Sequence, residues 1–312
     1  MEKVLVTGGA GFIGSHIVDK LLEEGYKVAV VDNLSTGKIG NFQNDKVKFY
    51  EVDITDEVAL IETVTEFQPK YIIHQAAQVS VAESVKDMLK DEQINIRGSL
   101  NVIEAARLNN VRKIVFASSA AVYGEPQYLP IDENHPINPM SPYGLSKYTV
   151  EKYLQLAHDL YDIDYTIFRY SNVYGPRQDA KGEGGVVAIF GDLLVEGKVP
   201  VIYGDGEQTR DFIYVEDVAR ANVKALLEGG HNVYNISSAY KTSVNELIYI
   251  FLEKMNIEIQ PIYTEERNGD IKDSLLANKK AISSLNWMPT YKLNSGIDKV
   301  LDFYKNNISW SK

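Results

Sequence analysis

The chain has 312 residues, 45% hydrophobic and 24% charged, the balance of a globular protein with a large core. A formal charge of −11 argues against binding to nucleic acid or anionic membranes, and the absence of cysteine excludes disulfides, thiolate metal sites and cysteine nucleophiles. No apolar run reaches membrane-spanning length, no leader-like stretch precedes the first strand, and the five histidines lack metal-ligand spacing, so a cytoplasmic, metal-free protein is expected.

The first signal along the chain is the apolar run Val4-Leu5-Val6. It leads into Thr7-Gly-Gly-Ala-Gly-Phe-Ile-Gly-Ser-His16 and an apolar-periodic segment to Leu22. This order predicts a strand, a tight glycine turn and a helix start whose free N–H groups suit a pyrophosphate. Two spacings fit the motif, Gly9/Gly11/Gly14 and Gly8/Gly11/Gly14. The next strand, Lys27–Asp32, ends in a carboxylate eighteen residues after Gly14. A carboxylate there accepts both ribose hydroxyls of an adenosine and repels a 2′-phosphate, which favours NAD over NADP.

Short β-rich runs then alternate with helical patterns: Val47–Glu51 and Glu57–Phe67, Tyr71–His74 and Glu92–Leu108, Lys113–Ala117 and Pro142–Asp159, then Tyr165–Arg169. The alternation predicts an α/β fold, a Rossmann doubly wound parallel sheet with helices on both faces. Ligands in such sheets sit at the carboxyl ends of the strands, where Asp32, Asp53, Ala76-Ala77, Ser118-Ser119 and Asn172 fall. After Arg169 the rhythm breaks into loop chemistry and shorter elements. We therefore expect an NAD-binding domain over 1–172 with a returning segment at about 209–237. A smaller mixed α/β C-terminal substrate lobe would come from 173–208 and 238–312.

In the helix predicted from Pro142, Tyr143 and Lys147 share one face. A tyrosine has a pKa of about 10, and a nearby ammonium favours its phenolate. Such a pair is a general base for a sugar hydroxyl. A surface Tyr/Lys pair is the bland reading, and the glycine turn upstream and the serine pair at a strand end weigh against it.

Seven motifs in order carry a resemblance over nearly the whole chain. They are Thr7–Gly14, Asp32-Asn-Leu-Ser-Thr-Gly37, His74-Gln-Ala-Ala77, Ser118-Ser-Ala-Ala-Val-Tyr-Gly124, Ser141-Pro-Tyr-Gly-Leu-Ser-Lys147, Arg169-Tyr-Ser-Asn-Val-Tyr-Gly-Pro-Arg177 and Arg210-Asp-Phe-Ile-Tyr-Val-Glu-Asp217. The sequence resembles the extended short-chain dehydrogenase/reductase family, and within it the UDP-glucose 4-epimerases and their nucleotide-sugar relatives. The resemblance implies NAD-dependent C4 epimerisation of UDP-hexoses, UDP-galactose to UDP-glucose, through a 4-keto sugar.

It also implies roles. Gly8, Gly11, Phe12 and Ile13 would hold the pyrophosphate, and Asp32 the adenosine ribose. Asn33, Ser35, Thr36, Gly37, Asp53 and Ile54 would line the adenine. Ala76, Ala77, Gln78, Asn95, Ser118 and Tyr170 would lie along the cofactor. Ser119 would be the catalytic hydroxyl, Tyr143 the base, and Lys147 the residue that orients the nicotinamide ribose. On the substrate side would stand Ser80, Ser119, Tyr143, Asn172, Val187, Tyr203, Gln208, Arg210, Arg267, Asp270 and Ser274. Arginines fork onto a diphosphate better than lysines do. His16 and His74 fall inside family motifs and read as packing or helix-start residues.

Three positions narrow the chemistry. The 4,6-dehydratases of this family carry Asp-Glu where this chain has Ala120-Ala121, so the acid and base for elimination are missing. The glutamate of the decarboxylases at position 121 is missing too. Ser274 stands where a bulky tyrosine excludes N-acetyl groups in some epimerases, which leaves room for UDP-GlcNAc and UDP-GalNAc. Tyr170-Ser-Asn172 departs from the Tyr-Phe-Asn of many epimerases. Relatives form homodimers through a four-helix bundle, and here Ile94, Leu100, Tyr148, Tyr153, Leu156 and Leu160 would supply its apolar faces. The alternatives are a UDP-glucuronate 4-epimerase, a keto-sugar reductase, or an NAD-sensing relative without catalysis.

Overall fold

Near-continuous apolar strands belong to parallel sheets covered on both faces, and this chain's strands form one. The computed structural model describes residues 1–42, 45–180, 185–266 and 271–307. Its first half runs β1 (Lys3–Thr7), α1 (Phe12–Glu23), β2 (Lys27–Asp32), β3 (Val47–Glu51), α2 (Glu57–Phe67), β4 (Tyr71–His74), α3 (Val81–Lys86), α4 (Met88–Asp91), a π-helical turn (Glu92–Arg97), α5 (Gly98–Leu108) and β5 (Lys113–Ser119). Then come α6 (Pro142–Tyr161), β6 (Asp164–Tyr170), β7 (Asn172–Tyr174), α7 (Val186–Val195), β8 (Val201–Tyr203), β9 (Thr209–Tyr214) and α8 (Val215–Lys224). The chain closes with β10 (Asn232–Ile236), β11 (Lys241–Ser243), α9 (Val244–Met255), β12 (Ile262–Thr264), α10 (Lys279–Ser284) and α11 (Leu293–Asn307).

Seven parallel strands pair in the order β10-β6-β5-β4-β1-β2-β3. Side chains alternate across the sheet. Val4 and Val6 of β1 pack with Ile17, Val18 and Leu21 of α1 and Val218 of α8. Leu5 packs on the opposite face with Leu60 and Val64 of α2, Val102 of α5, and Val150 and Leu154 of α6. The strand order reverses between β1 and β4, which opens a crevice at their carboxyl ends.

Beyond β6 the chain builds a three-stranded sheet, β11-β9-β7, and the pair β12-β8. They surround a third core that includes Tyr174, Phe190, Phe212 and Phe251. After β9, α8 packs beside α1, and β10 joins the large sheet at β6. No helix among the described residues is long and apolar enough to cross a membrane.

One predicted element differs in kind. The continuous helix expected over Glu92–Leu108 begins as a π-helical turn, and regular α-helix starts only at Gly98. The wider turn points Asn95 inward, and the Ser99 hydroxyl donates to the Asn95 carbonyl at 2.5 Å. Such turns frequently sit at functional sites. Helix α3 is an addition, capped by Ser80, whose hydroxyl accepts the Glu83 N–H.

Candidate active site

The crevice between β1 and β4 begins with the glycine turn. Gly8 has φ +69°, and a Cβ there would lie 2.6 Å from the Ala76 nitrogen. A Cβ on Gly14 would lie 2.1 Å from the Gly8 carbonyl oxygen. Gly9 instead backs onto the Val30 side chain. A Cβ on Gly9 would lie 2.7 Å from Val30, whereas one on Gly11 would lie 3.2 Å from the Gly8 carbonyl oxygen, so Gly8, Gly9 and Gly14 are the positions of this turn packed most tightly. Gly11 caps α1 without a side chain, so the first-turn N–H groups at Phe12 and Ile13 are left for an anion.

Asp32 ends β2 in the crevice wall, nearly buried. Its carboxylate accepts the Ala10 N–H at 3.0 Å and the Leu34 N–H at 2.9 Å. Burial raises its pKa, and those two bonds work the other way. A Cβ on Gly37 would lie 2.8 Å from an Asp32 oxygen, so the loop leaves only a narrow face beside the acid. Asn33, Ser35 and Thr36 are exposed on that loop. Asn33 donates to Asp53 at 2.7 Å. Burial disfavours the Asp53 charge, but bonds from Thr55 and Asn33 hold its carboxyl below its ordinary value. Ile54 is buried against Gly98. Ala76, Ala77 and Gln78 line the opposite wall, partly exposed. This cradle, with free helix N–H groups, a carboxylate at the end of β2 and no room for side chains at 8 and 14, fits NAD.

Asn95 stands behind that wall. It accepts the Gln78 N–H at 2.8 Å and donates to the Gln78 carbonyl at 2.9 Å, to Asp91 at 2.9 Å and to Ser146 at 3.3 Å. Its donors are spent within the protein, so it fixes Gln78. Tyr170 is similar: its hydroxyl accepts from Asn222 at 2.8 Å and from Gln75 at 3.2 Å, and burial pushes its pKa up to about 12.

The reacting groups gather where β5 ends and α6 begins. Ser118 and Ser119 point to opposite faces, as neighbours in a strand must. Ser118 is buried and donates to Glu151 at 2.5 Å. Glu151 takes a two-pronged bond from Arg169, at 3.0 and 2.6 Å. Arg169 also donates to the Tyr123 hydroxyl, which donates to Asn235 at 2.7 Å. The Ser118 hydroxyl, expected along the cofactor, serves this core network, which leaves its backbone for any cofactor contact. Ser119 is partly exposed, and its oxygen accepts the Ala121 N–H at 3.2 Å, leaving its proton to donate elsewhere.

Ser141 caps α6 by accepting the Gly144 N–H at 3.1 Å, with Pro142 in the first turn. A Cβ on Gly144 would lie 2.5 Å from the Ala121 carbonyl oxygen, so this glycine lets the helix start press against the segment after Ser119. Tyr143 is half-buried there. The Lys147 ammonium lies 5.8 Å from the Tyr143 ring centre and donates to the Ala117 carbonyl at 2.9 Å. It is 4% exposed, and burial pushes its pKa down to about 8 against the pull of Asp91. Tyr143, Lys147 and Glu151 are spaced at i, i+4 and i+8. A buried acid one turn past Lys147 was a signal that sequence reasoning missed.

The proposed substrate residues are looser. Asn172 opens β7 and is exposed, and Tyr203 and Gln208 flank the loop between β8 and β9. Gln208 donates to the Tyr203 carbonyl at 2.8 Å. Arg210, on β9, donates to the Thr209 carbonyl at 2.8 Å. The Ser274 N–H donates to the Thr209 carbonyl at 3.2 Å, which brings Ser274 beside the Arg210 strand. The Val187 side chain is buried in the third core, so only its backbone is left for a ligand. Ser80 spends its oxygen capping α3. Arg267 and Asp270 lie outside the described residues. No group of three His, Asp or Glu residues among the described residues could hold a metal.

Comparison with known proteins agrees with this geometry. The model of the NAD dependent epimerase/dehydratase family matches residues 4–237. The chain is 42% identical over 310 residues to the UDP-glucose 4-epimerase of Mycolicibacterium smegmatis, covering 97% of this chain and 99% of that one. Among solved structures it resembles the Thermotoga maritima UDP-glucose 4-epimerase with UDP-glucose, with a TM-score of 0.96, 43% identity and coverage of 98% and 99% of the two chains. It also resembles the UDP-N-acetylglucosamine 4-epimerase of Methanobrevibacter ruminantium in complex with UDP-N-acetylmuramic acid, with a TM-score of 0.94, 37% identity and coverage of 98% and 99%. The chain belongs to the NAD dependent epimerase/dehydratase family.

Proposed function

We propose that this protein is a UDP-hexose 4-epimerase that interconverts UDP-galactose and UDP-glucose. The observation that carries this is the packing of the start of α6, with Tyr143 and Lys147, against the end of β5 and the segment after Ser119, where Ala120 and Ala121 stand in place of an eliminating acid and base. The glycine turn, Asp32 and Lys147 would hold NAD, which when bound supplies a hydride acceptor and donor for C4. The Tyr143 oxygen takes the C4 hydroxyl proton as general base and later returns it. The Ser119 hydroxyl, its oxygen fixed by Ala121, donates to the same C4 oxygen. The Lys147 charge, buried beside Tyr143, favours the tyrosinate.

Arg210 and Asn172, with Arg267 and Asp270, grip the nucleoside diphosphate. In our reading the lobe of 173–208 and 238–312 supplies Arg267 and Asp270 to that grip, the segments beside it supply Asn172 and Arg210, and the sugar itself meets few charges and can turn over. Ser274 leaves space at the sugar, and the Methanobrevibacter ruminantium neighbour's N-acetylated ligand supports acceptance of UDP-GlcNAc and UDP-GalNAc. We further propose a homodimer through α5 and α6. Tyr153, Leu156 and Leu160 are exposed there, whereas Leu100 and Tyr148 partly pack into the protein. A cysteine-free chain suits a reducing compartment, and we assign it to the cytoplasm.

Purified protein given UDP-galactose, UDP-GalNAc or UDP-glucuronate, without added nucleotide, tests the reading. UDP-glucose from the first and UDP-GlcNAc from the second are expected. Turnover of UDP-glucuronate alone would contradict it.

A further inference from the structure

His74 ends β4 at the point where the strand order reverses, and it is buried. Nδ1 lies 2.6 Å from the Thr7 hydroxyl, and Nε2 lies 2.9 Å from the Ser99 hydroxyl. The neighbours fix which nitrogen holds the proton. Ser99 has one proton, and it goes to the Asn95 carbonyl, which can only accept. Toward His74, Ser99 is therefore an acceptor, so Nε2 carries the hydrogen. Nδ1 is then bare and accepts from Thr7. The Thr7 oxygen in turn accepts the Ala76 N–H at 3.3 Å. Every donor is used once, from Ala76 through Thr7, His74 and Ser99 to Asn95.

The ends of this chain are the walls of the cleft. Thr7 precedes the Gly8 turn, Ala76 starts the facing wall, and Asn95 fixes Gln78. We infer that His74 is a positioning residue for the cofactor, a neutral imidazole in one tautomer that holds the Gly8, Ala76–Gln78 and Asn95 segments at fixed spacing. The inference rests on the NAD reading of the cleft. Its surroundings keep the ring uncharged: burial pushes its pKa down to about 3, and the Lys147 ammonium adds to this. The Phe116 ring lies 5.6 Å away, with Lys147 5.0 Å from that same ring, and among the described residues no carboxylate is paired with the imidazole.

The test combines a spectrum and a binding measurement. In 15N-histidine-labelled wild-type protein, assigned by loss of its signals in His74→Leu, His74 is expected as the Nε2–H tautomer, unchanged from pH 8 to pH 5. On protein stripped of NAD, calorimetry should show His74→Leu binding NAD about tenfold or more weakly, and Ser99→Ala more weakly than wild type by a smaller factor. A merely structural histidine would lower the melting temperature and leave NAD affinity intact. An Nδ1–H or titrating His74, or wild-type NAD affinity in both variants, overturns the inference. Should His74→Leu not fold, Ser99→Ala and the wild-type spectrum still decide it. Wild-type protein that binds no NAD at all would overturn the cofactor reading itself.

Discussion

The cofactor cleft and the sugar side of the site are built in opposite ways. The cleft is backbone and buried polar groups held by their neighbours: Asp32 takes two N–H groups, Asn95 spends its donors on its neighbours, and Gly8, Gly9, Gly14 and Gly37 have no room for a methyl. The proposed substrate side offers exposed Asn172 and Tyr203 and, at the proposed sugar position, a small Ser274. A rigid wall suits a group that stays, whereas an open one suits a ring that must present both faces. An epimerase needs both, because the sugar turns over while the cofactor does not leave.

The sharpest way to break the contrast is at the reacting groups. Tyr143→Phe should lower kcat by about a hundredfold or more with NAD affinity kept, as general-base loss does; retention of a tenth of the wild-type rate would remove Tyr143 from the mechanism. Lys147→Met should cost about as much activity, yet it should stabilise the fold. The Lys147 pKa is about 8 in the fold against 10.5 in an unfolded chain. Between those values the unfolded chain binds more protons, so wild-type stability rises as pH goes from 8 to 10.5. Below 8 the cost of the buried charge is complete, on the order of 3 kcal/mol. Urea unfolding of NAD-free protein should find Lys147→Met more stable than wild type at pH 7, with the gap closing toward pH 10.5. A gap that does not change with pH would mean that burial of the ammonium is not its cause.

A smaller effect comes from the junction of the two regions. Gly144→Ala puts a methyl 2.5 Å from the Ala121 carbonyl, which pushes Tyr143 away from Ser119. We expect kcat to fall about tenfold with little change in KM, measured with UDP-galactose. Equal losses in both parameters would place the strain elsewhere.

How far the sequence was legible followed the range of the interactions. The glycine turn, Asp32 and the Tyr143/Lys147 pair were readable because each is a local pattern with a local consequence. The motif marks Ser118 and Ser119 alike, while only strand alternation says that the Ser118 hydroxyl faces the core. Glu151 and Arg169 are eighteen residues apart, and Thr7 and Ser99 reach His74 from two other elements. Such partners meet only after α6 packs on β6 and the sheet closes. The π-helical turn left no propensity signal, and the bonds that flank it, from Asn95 to Asp91 and from Ser99 to the Asn95 carbonyl, join residues of neighbouring elements.

The smallest expected effect on UDP-galactose turnover lies at Ser274, which we propose faces the sugar. Ser274→Tyr should abolish turnover of UDP-GalNAc and leave UDP-galactose turnover within about a factor of three. Continued use of both sugars would take Ser274 out of the sugar site.

The central claim is that hydrogen leaves C4 as hydride and returns to the same carbon without exchange. Turnover of UDP-[4-2H]galactose in ordinary water, read by mass spectrometry and NMR, tests it most directly. The account predicts UDP-glucose with deuterium retained at C4. Loss of the label to solvent would contradict it.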